Sequence, residues 1–519
     1  MTLANPTRAE AVRFLQRATF GATSTDVNRL MNIGAQAWLD EQMRRTPAQT
    51  WHARRRRGDR LHDIVWQSYL TDADQLRKRV AYALSQIMVA SSKELNDNDV
   101  AVYADLLEAH CFGTYRELLE AVTRSVAMGD YLTYDRNRRE DERRGSVPDE
   151  NYAREVLQLF SIGLWELNRN GTQRTSGGQP IPTFDDDDVV GLARVFTGFR
   201  RPDVRGAPNK YRLPMESTGE FAERWHETGA KQFFGATIPA REDRTLDQSL
   251  ALALDAIAGH HNVAPFISRQ LIQRLVTSNP SPAYVDRVAA VFDNDGNGRR
   301  GNLGAVVRAI LTDAEAWRTS WPESHGKVRE PVLRFTIGLR AFGARTTSLP
   351  WQIGRLDSSA DRLGQQPFDA NSVFNFYRPG YVPPQSPLGD AGLVAPEMQI
   401  ANETSAIGWI NYLARFLRRP PNRVRFEIDD LLAAAVGKDL SDADAAALVD
   451  EIAARLCPTG LSDATRSVVI RRVQQTRDDG YDPDDRRDGP TRRRREIHLD
   501  RVMGAASMIL ASTDFLWER

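Results

Sequence analysis

The chain has 519 residues, with Lys plus Arg and Asp plus Glu at 69 each and a formal net charge of zero. That balance excludes the bulk positive field behind non-specific binding of nucleic acid or anionic membrane, and 41% apolar with 27% charged residues suits a globular chain with a large core. The two cysteines, Cys111 and Cys457, fall in helical patterns and predict buried free thiols, not a disulfide framework or a thiol metal site.

In chain order, residues 7–45 predict two helices: Thr7 caps AEAVRFLQRATF, Phe20-Gly21 stops it, and Ser24 or Thr25 caps the next. The run Arg54 to Arg57 reads as a solvated loop. Two amphipathic helices fill 61–90, and an antiparallel pair, 100–111 and 114–128, breaks at Phe112-Gly113. The stretch Asp149 to Arg200 follows, and the rest of the chain centres on it. In DENYAREVLQLFSIGLWELNRNGT, Leu157, Phe160 and Leu164 fall three and four apart and predict a mostly buried helix. Asn151, Arg154, Glu155 and Gln158 nevertheless recur along one flank. A buried charge is costly unless paired, so this flank is either a cavity wall or an Arg154–Glu155 ion pair holding the helix to its neighbours.

Residues 168–182 form a polar excursion or lid, and Thr183 caps a helix whose first-turn acids, Asp185 to Asp188, suit the positive end of the helix dipole. Residues 200–247 lose periodicity under Pro and Gly but carry Tyr211, Phe221, Trp225, Phe233 and Phe234 around His226-Glu227 and Lys231. Irregular segments this long and this aromatic are functional more often than disordered. Helices return at 246–258 and 263–275; His260-His261 precede the second and read as caps more than ligands. Helix 282–292 runs into Asp293-Asn294-Asp295-Gly296-Asn297-Gly298, a helix spans 327–342, and residues 363–384, including Asn371, form a second Pro, Asn and aromatic loop. The chain divides into a helical core over 1–419 and a C-terminal helical extension over 420–519, with a mobile loop at 478–495 and a last helix packing back on the core. Without sustained alternation or a repeat, the fold class is mainly α: one large multi-helical domain with long irregular loops and at most short β hairpins.

Four places can carry chemistry. The central flank offers Glu155 as acid or base, Arg154 as anion clamp, and Asn151 and Gln158 as ligand contacts. His226 is a proton-transfer group or a loop anchor, with Trp225, Lys231 and Asn371 as substrate contacts. Asp293, Asp295 and Asn297 match the first half of an EF-hand loop and could hold Ca2+, but Arg300 and Gly304 break the second half, and an Asx-rich turn is the alternative. No serine elbow, P-loop or dinucleotide fingerprint is present.

The segments RFLQRATFGATSTDVNRLMNIGAQAWLDEQM, NYAREVLQLFSIG, DVVGLARVFTGF, HETGAKQFFG, GHHNVAPFISRQLIQRLV, GNLGAVVRAILTDAEAW, KVREPVLRFTIGLRAFG and LGQQPFDANSVFNFYRPGY come in one order over nearly the whole chain. In that order they resemble the bacterial family known as domain of unknown function 1800. The resemblance implies a large helical protein, often found alongside a sulfatase-related family, and it carries over no catalytic residue. No apolar run approaches about 18 residues, so no membrane span is expected, and the opening residues lack an export signal. The expected compartment is the cytoplasm, with the periplasm or export with a partner as the alternative. Two functions follow: a hydrolase or lyase-like enzyme for a polar, sugar-like or anionic substrate, or a non-catalytic binding and assembly partner of a sulfatase-related protein.

Overall fold

A computed structural model of the chain describes residues 4–519, apart from 48, 57, 144, 204–211, 319, 321, 323, 348, 422, 437–439 and 477–489, and apart from the side chains of 490–495. The expected position of Tyr211 and most of the expected loop 478–495 lie outside the described residues. Helices dominate, and the sheets among the described residues are three two-stranded antiparallel pairs. The fold is mainly α, as the periodicity predicts.

Helix ends fall where short polar side chains can take orphan backbone amides. Thr7 forms a capping box with Glu10 ahead of Arg8–Ala18, and Thr23 caps Ser24–Arg44. The segment read as one helix over 114–128 is two, because Ser125 caps a new helix, Val126–Tyr131, just after Tyr115–Thr123 ends.

The central helix departs most from its pattern. Asn151–Glu155 is α-helical, but Val156–Ser161 widens into a π turn. Ser161 Oγ bonds Val156 O, and the amides of Ile162 and Gly163 both reach Leu157 O at 3.0 Å. Tyr152, Val156, Leu157 and Phe160 are fully buried, whereas Leu164 is 45% exposed. The buried stripe expected to run through Leu164 therefore stops at Ile162. The π turn inserts an extra residue per turn, and Gly163, at φ 73°, reverses the chain. A Cβ at Gly163 would stand 2.7 Å from the Phe266 ring, so this position needs glycine for its space as well as its conformation.

The three loops singled out in the sequence take different forms. Residues 168–182 carry a small hairpin, Thr175–Ser176 with Gln179–Pro180. Residues 212–247 hold the helix Glu220–Trp225 and a second hairpin, Lys231–Phe233 with Ala236–Ile238, packed on the helix Asp186–Ala193. Residues 363–384 are irregular and run alongside the central helix.

The C-terminal residues close on the start of the chain. Trp517–Glu518 pairs with Lys327–Val328, Arg17 bonds Glu518 at 3.2 Å, Gln16 donates to Leu456 O, and Arg8 grips Glu451. Both cysteines are buried and free. No helix among the described residues is long and apolar enough to cross a membrane.

Candidate functional site

The helix Val263–Leu275 presents Phe266, Gln270 and Arg274 on one side, four residues apart. They face Gln158, Leu159, Gly163, Leu164 and Trp165 of the central segment, and residues 373–382 close the third side. The open cleft between them is about 780 Å³, within the usual range for a small-molecule site. Its walls are aromatic and aliphatic: Leu159, Trp165, Phe266, Val373, Phe374 and Tyr381. Its floor is polar: Gln86, Gln270, Arg274 and Tyr377.

That floor rests on a buried network. Glu330, 1% exposed, precedes Pro331 at the start of the helix Pro331–Ala341. Its Oε2 accepts from Tyr82 OH at 3.0 Å, Gln86 Nε2 at 2.8 Å, Gln365 Nε2 at 2.6 Å and Tyr377 OH at 2.8 Å. Burial, reinforced by the Glu330 charge, holds the Tyr82 and Tyr377 phenols well above their ordinary pKa, so both remain donors. Arg274 donates to Gln270 O at 3.1 Å and Gln86 O at 2.9 Å. Lys327 donates to Gln273 O and Arg274 O and pairs with Glu397 at 3.0 Å, with both side chains buried. Among the described residues, Arg79, Arg274, Lys327 and Arg334 are thus buried around the carboxylates of Glu330 and Glu397.

Three polar atoms on the floor lack a protein partner: Gln86 Oε1, Gln270 Nε2 and Arg274 Nε. All three side chains are at least nine-tenths buried. Such groups are uncommon and call for an explanation. A second cavity, about 630 Å³ near Thr23, Glu41 and Arg340, also carries two atoms without a hydrogen-bond partner, Arg45 Nε and Asp72 Oδ2. Its charges are met within the chain, through Arg29–Glu41, Arg45–Glu41, Arg340–Asp26 and Arg345–Glu427.

Of the residues singled out in the sequence, Gln158 lines the first cavity. Glu155 lies one turn before it, 8% exposed, with Oε2 buried and without a hydrogen-bond partner. Burial raises its pKa, and the neighbouring Arg154 opposes the shift. Arg154 does not pair with Glu155; it turns outward to Glu150 at 3.4 Å and Asp186 at 3.3 Å. Asn151 is exposed at the helix start, 3.4 Å from Thr133 Oγ1. Asn371 is exposed and accepts from Lys93. Trp225 stacks between Arg138 and Arg224, whose guanidinium carbons lie 4.4 and 4.9 Å from its ring.

His226 and Lys231 belong to a different neighbourhood. His226 Nδ1 lies 2.9 Å from Thr197 O and Nε2 2.9 Å from Ser249 Oγ, the arrangement of a loop anchor. Lys231 Nζ donates to Glu227 O and Gly229 O, and burial brings its pKa down to about 8. Burial likewise lowers the His226 pKa to about 4; Lys231 and Arg244 push the same way, while the Thr197 carbonyl and Glu227 oppose. Unfolded histidine takes a proton below about pH 6.5, and folded His226 does so only near 4. Its stabilising contribution is therefore present above about 6.5 and lost as pH falls towards 4, by up to about 3 kcal/mol. Glu108, raised to about 7 by burial, acts in the opposite sense over overlapping pH, so a variant isolates the histidine. The stability gap between wild type and His226→Asn, measured by urea unfolding, narrows steadily from pH 7 to pH 4. A constant gap contradicts the assignment.

The Asp293–Gly298 loop is bonded to itself. Asp293 pairs with Arg300, and Asp295 accepts from the amides of Asn297 and Arg299 and from Asn302 Nδ2. Asn294 Oδ1 accepts from Gly296 and Gly298, the pattern of Asx turns. Asp293 and Asp295 thus have partners inside the chain, and Ca2+ would have to displace them.

The sequence reading did not single out Gln86, Arg274, Glu330, Gln365 or Tyr377. Gln365 and Tyr377 carry a local signal in the amide and aromatic enrichment of LGQQPFDANSVFNFY; Gln86, Arg274 and Glu330 lie outside that segment.

No curated protein and no solved structure matches the chain. The model of the family described as "Protein of unknown function (DUF1800)" matches residues 13–517, and the chain belongs to that family.

Proposed function

As a member of this family carrying the cavity described above, the protein binds, we propose, a small hydroxyl-bearing ligand with an anionic group, of the sugar-acid type. The observation that carries this reading is the set of unpartnered groups on the floor: one acceptor, Gln86 Oε1, and two donors, Gln270 Nε2 and Arg274 Nε. A hydroxyl both gives and accepts a hydrogen bond, so it matches such a set. The buried Arg274 guanidinium on the floor favours negative charge. At the rim Arg378 stacks on Phe374, 4.7 Å from its ring centroid, where its head can meet a carboxylate. Phe374 and Trp165, 37% and 41% exposed, offer faces for a sugar ring.

The test is a panel of neutral sugars, uronic acids and sugar phosphates screened by thermal shift and followed by calorimetric titration. At least one anionic member binds, and Gln270→Leu, which keeps the side chain's bulk, weakens it at least about tenfold by removing a buried donor. A panel with no binder, or a variant with unchanged affinity, overturns the reading.

A second reading adds turnover, because Glu155, with its raised pKa and an unpartnered oxygen, stands one turn from Gln158. Glu155 then acts as a general acid. In that case Glu155→Gln keeps ligand affinity and abolishes product formation; a variant with full turnover removes the reading.

A further inference from the structure

Glu166, His260 and His261 come together from segments about a hundred residues apart, and their ligand-type atoms all lie within 4.8 Å of one another. Glu166 Oε2 lies 2.5 Å from His261 Nε2, and the two imidazoles stack at 4.4 Å. Asn262 fixes this approach. Fully buried, it donates from Nδ2 to Ile162 O and Trp165 O, both at 2.8 Å, and accepts from Leu167 N at 2.8 Å. The backbone on either side of Glu166 is thereby fastened to the residue that follows the two histidines. We propose that Glu166, His260 and His261 bind a divalent cation of the zinc class.

Two imidazoles and one carboxylate are a common donor set for such an ion, and they leave a fourth position for water or substrate. The His261 side chain is 54% exposed, so that position opens to solvent. Metal–ligand bonds of about 2.0–2.1 Å put tetrahedral ligand atoms roughly 3.3–3.5 Å apart. The present spacing reaches this by small side-chain rotations, with the Glu166–His261 hydrogen bond opening to admit the ion. The amide of Asn262 donates to His260 Nδ1 at 3.2 Å, and the ion replaces this bond or binds beside it. Arg174 holds Glu166 Oε2 at 3.0 Å. A carboxylate has two oxygens, so Arg174 can keep one while the other meets the ion, as outer partners of metal ligands commonly do. Trp165, next to Glu166, lines the ligand cavity, but the metal site does not depend on that cavity being occupied.

The test uses purified full-length protein stripped with a chelator and titrated with ZnCl2, with CoCl2 as a spectroscopic probe. Wild type takes up one equivalent of zinc, melts at a higher temperature, and develops visible Co2+ absorption. His261→Ala, at an exposed site and checked for folding by circular dichroism, and Glu166→Gln each weaken zinc at least tenfold. Glu427→Gln, paired with Arg345 beside the second cavity, leaves zinc binding unchanged. The site is refuted if wild type binds no zinc at saturating concentration, or if a folded His260→Ala/His261→Ala variant binds it as tightly as wild type.

Discussion

Glu330→Ala lowers the unfolding free energy by about 3–5 kcal/mol, the scale for removing one partner of a buried charged network. The four donors that converge on Glu330 Oε2 (Tyr82, Gln86, Gln365 and Tyr377) are each under 5% exposed, and water cannot replace the lost acceptor without entering the core. Arg274, Lys327 and Arg334 would then share Glu397 as the remaining buried carboxylate of the cluster. Glu330→Gln keeps one acceptor oxygen but adds two donors to a place already full of them, so it falls between wild type and Glu330→Ala. Urea unfolding followed by circular dichroism measures both. A loss below about 1 kcal/mol for Glu330→Ala means that this network does not hold the cavity floor.

Gly191→Ala is the second large effect, and its sign runs against local expectation. Alanine in a helix interior normally stabilises by about 1 kcal/mol over glycine. Here a Cβ on Gly191, in the helix Asp186–Ala193, would stand 1.7 Å from Gln232 O and 2.8 Å from Gln232 C. Both are backbone atoms of the hairpin strand Lys231–Phe233, so no side chain can rotate aside. The hairpin must lift from the helix, taking with it the Phe233 ring, which is 1% exposed. The expected cost is on the order of 3 kcal/mol, with faster hydrogen exchange in residues 231–238. A neutral or stabilised variant contradicts this close packing.

The fold was legible in the sequence wherever a local signal decides it. Thr7 and Thr114 each begin a helix because a hydroxyl can satisfy an orphan amide, and that is visible in a few letters, whereas the cap expected at Ser24 or Thr25 falls on Thr23. The π turn at Val156–Ser161 was not legible: VLQLFS carries an ordinary helical pattern, and the widening is set by packing and by Gly163 meeting Phe266. The cavity was legible in part. Gln158 and the aromatic loop over 363–384 meet there, whereas His226 and the 200–247 segment belong elsewhere. Periodicity alone hides the floor, because charged and amide residues within a helix read as solvent-facing. In QLRKRVAYALS the side chains of Arg77, Lys78 and Arg79 are all buried, taken up by Glu108 and by distant carbonyls. Gln86 and Glu330 are 244 residues apart in sequence, and no local window contains both.

The central claim is that the ligand enters the cavity between the π turn, the helix Val263–Leu275 and residues 373–382. Hydrogen exchange on wild-type protein, with and without the tightest binder from the sugar-acid panel, tests it most directly. The account predicts slowed exchange in residues 158–165, 266–274 and 373–382, and no change in residues 23–45 and 340–345 around the other large cavity. Protection confined to that second region, or spread evenly over the chain, would contradict it.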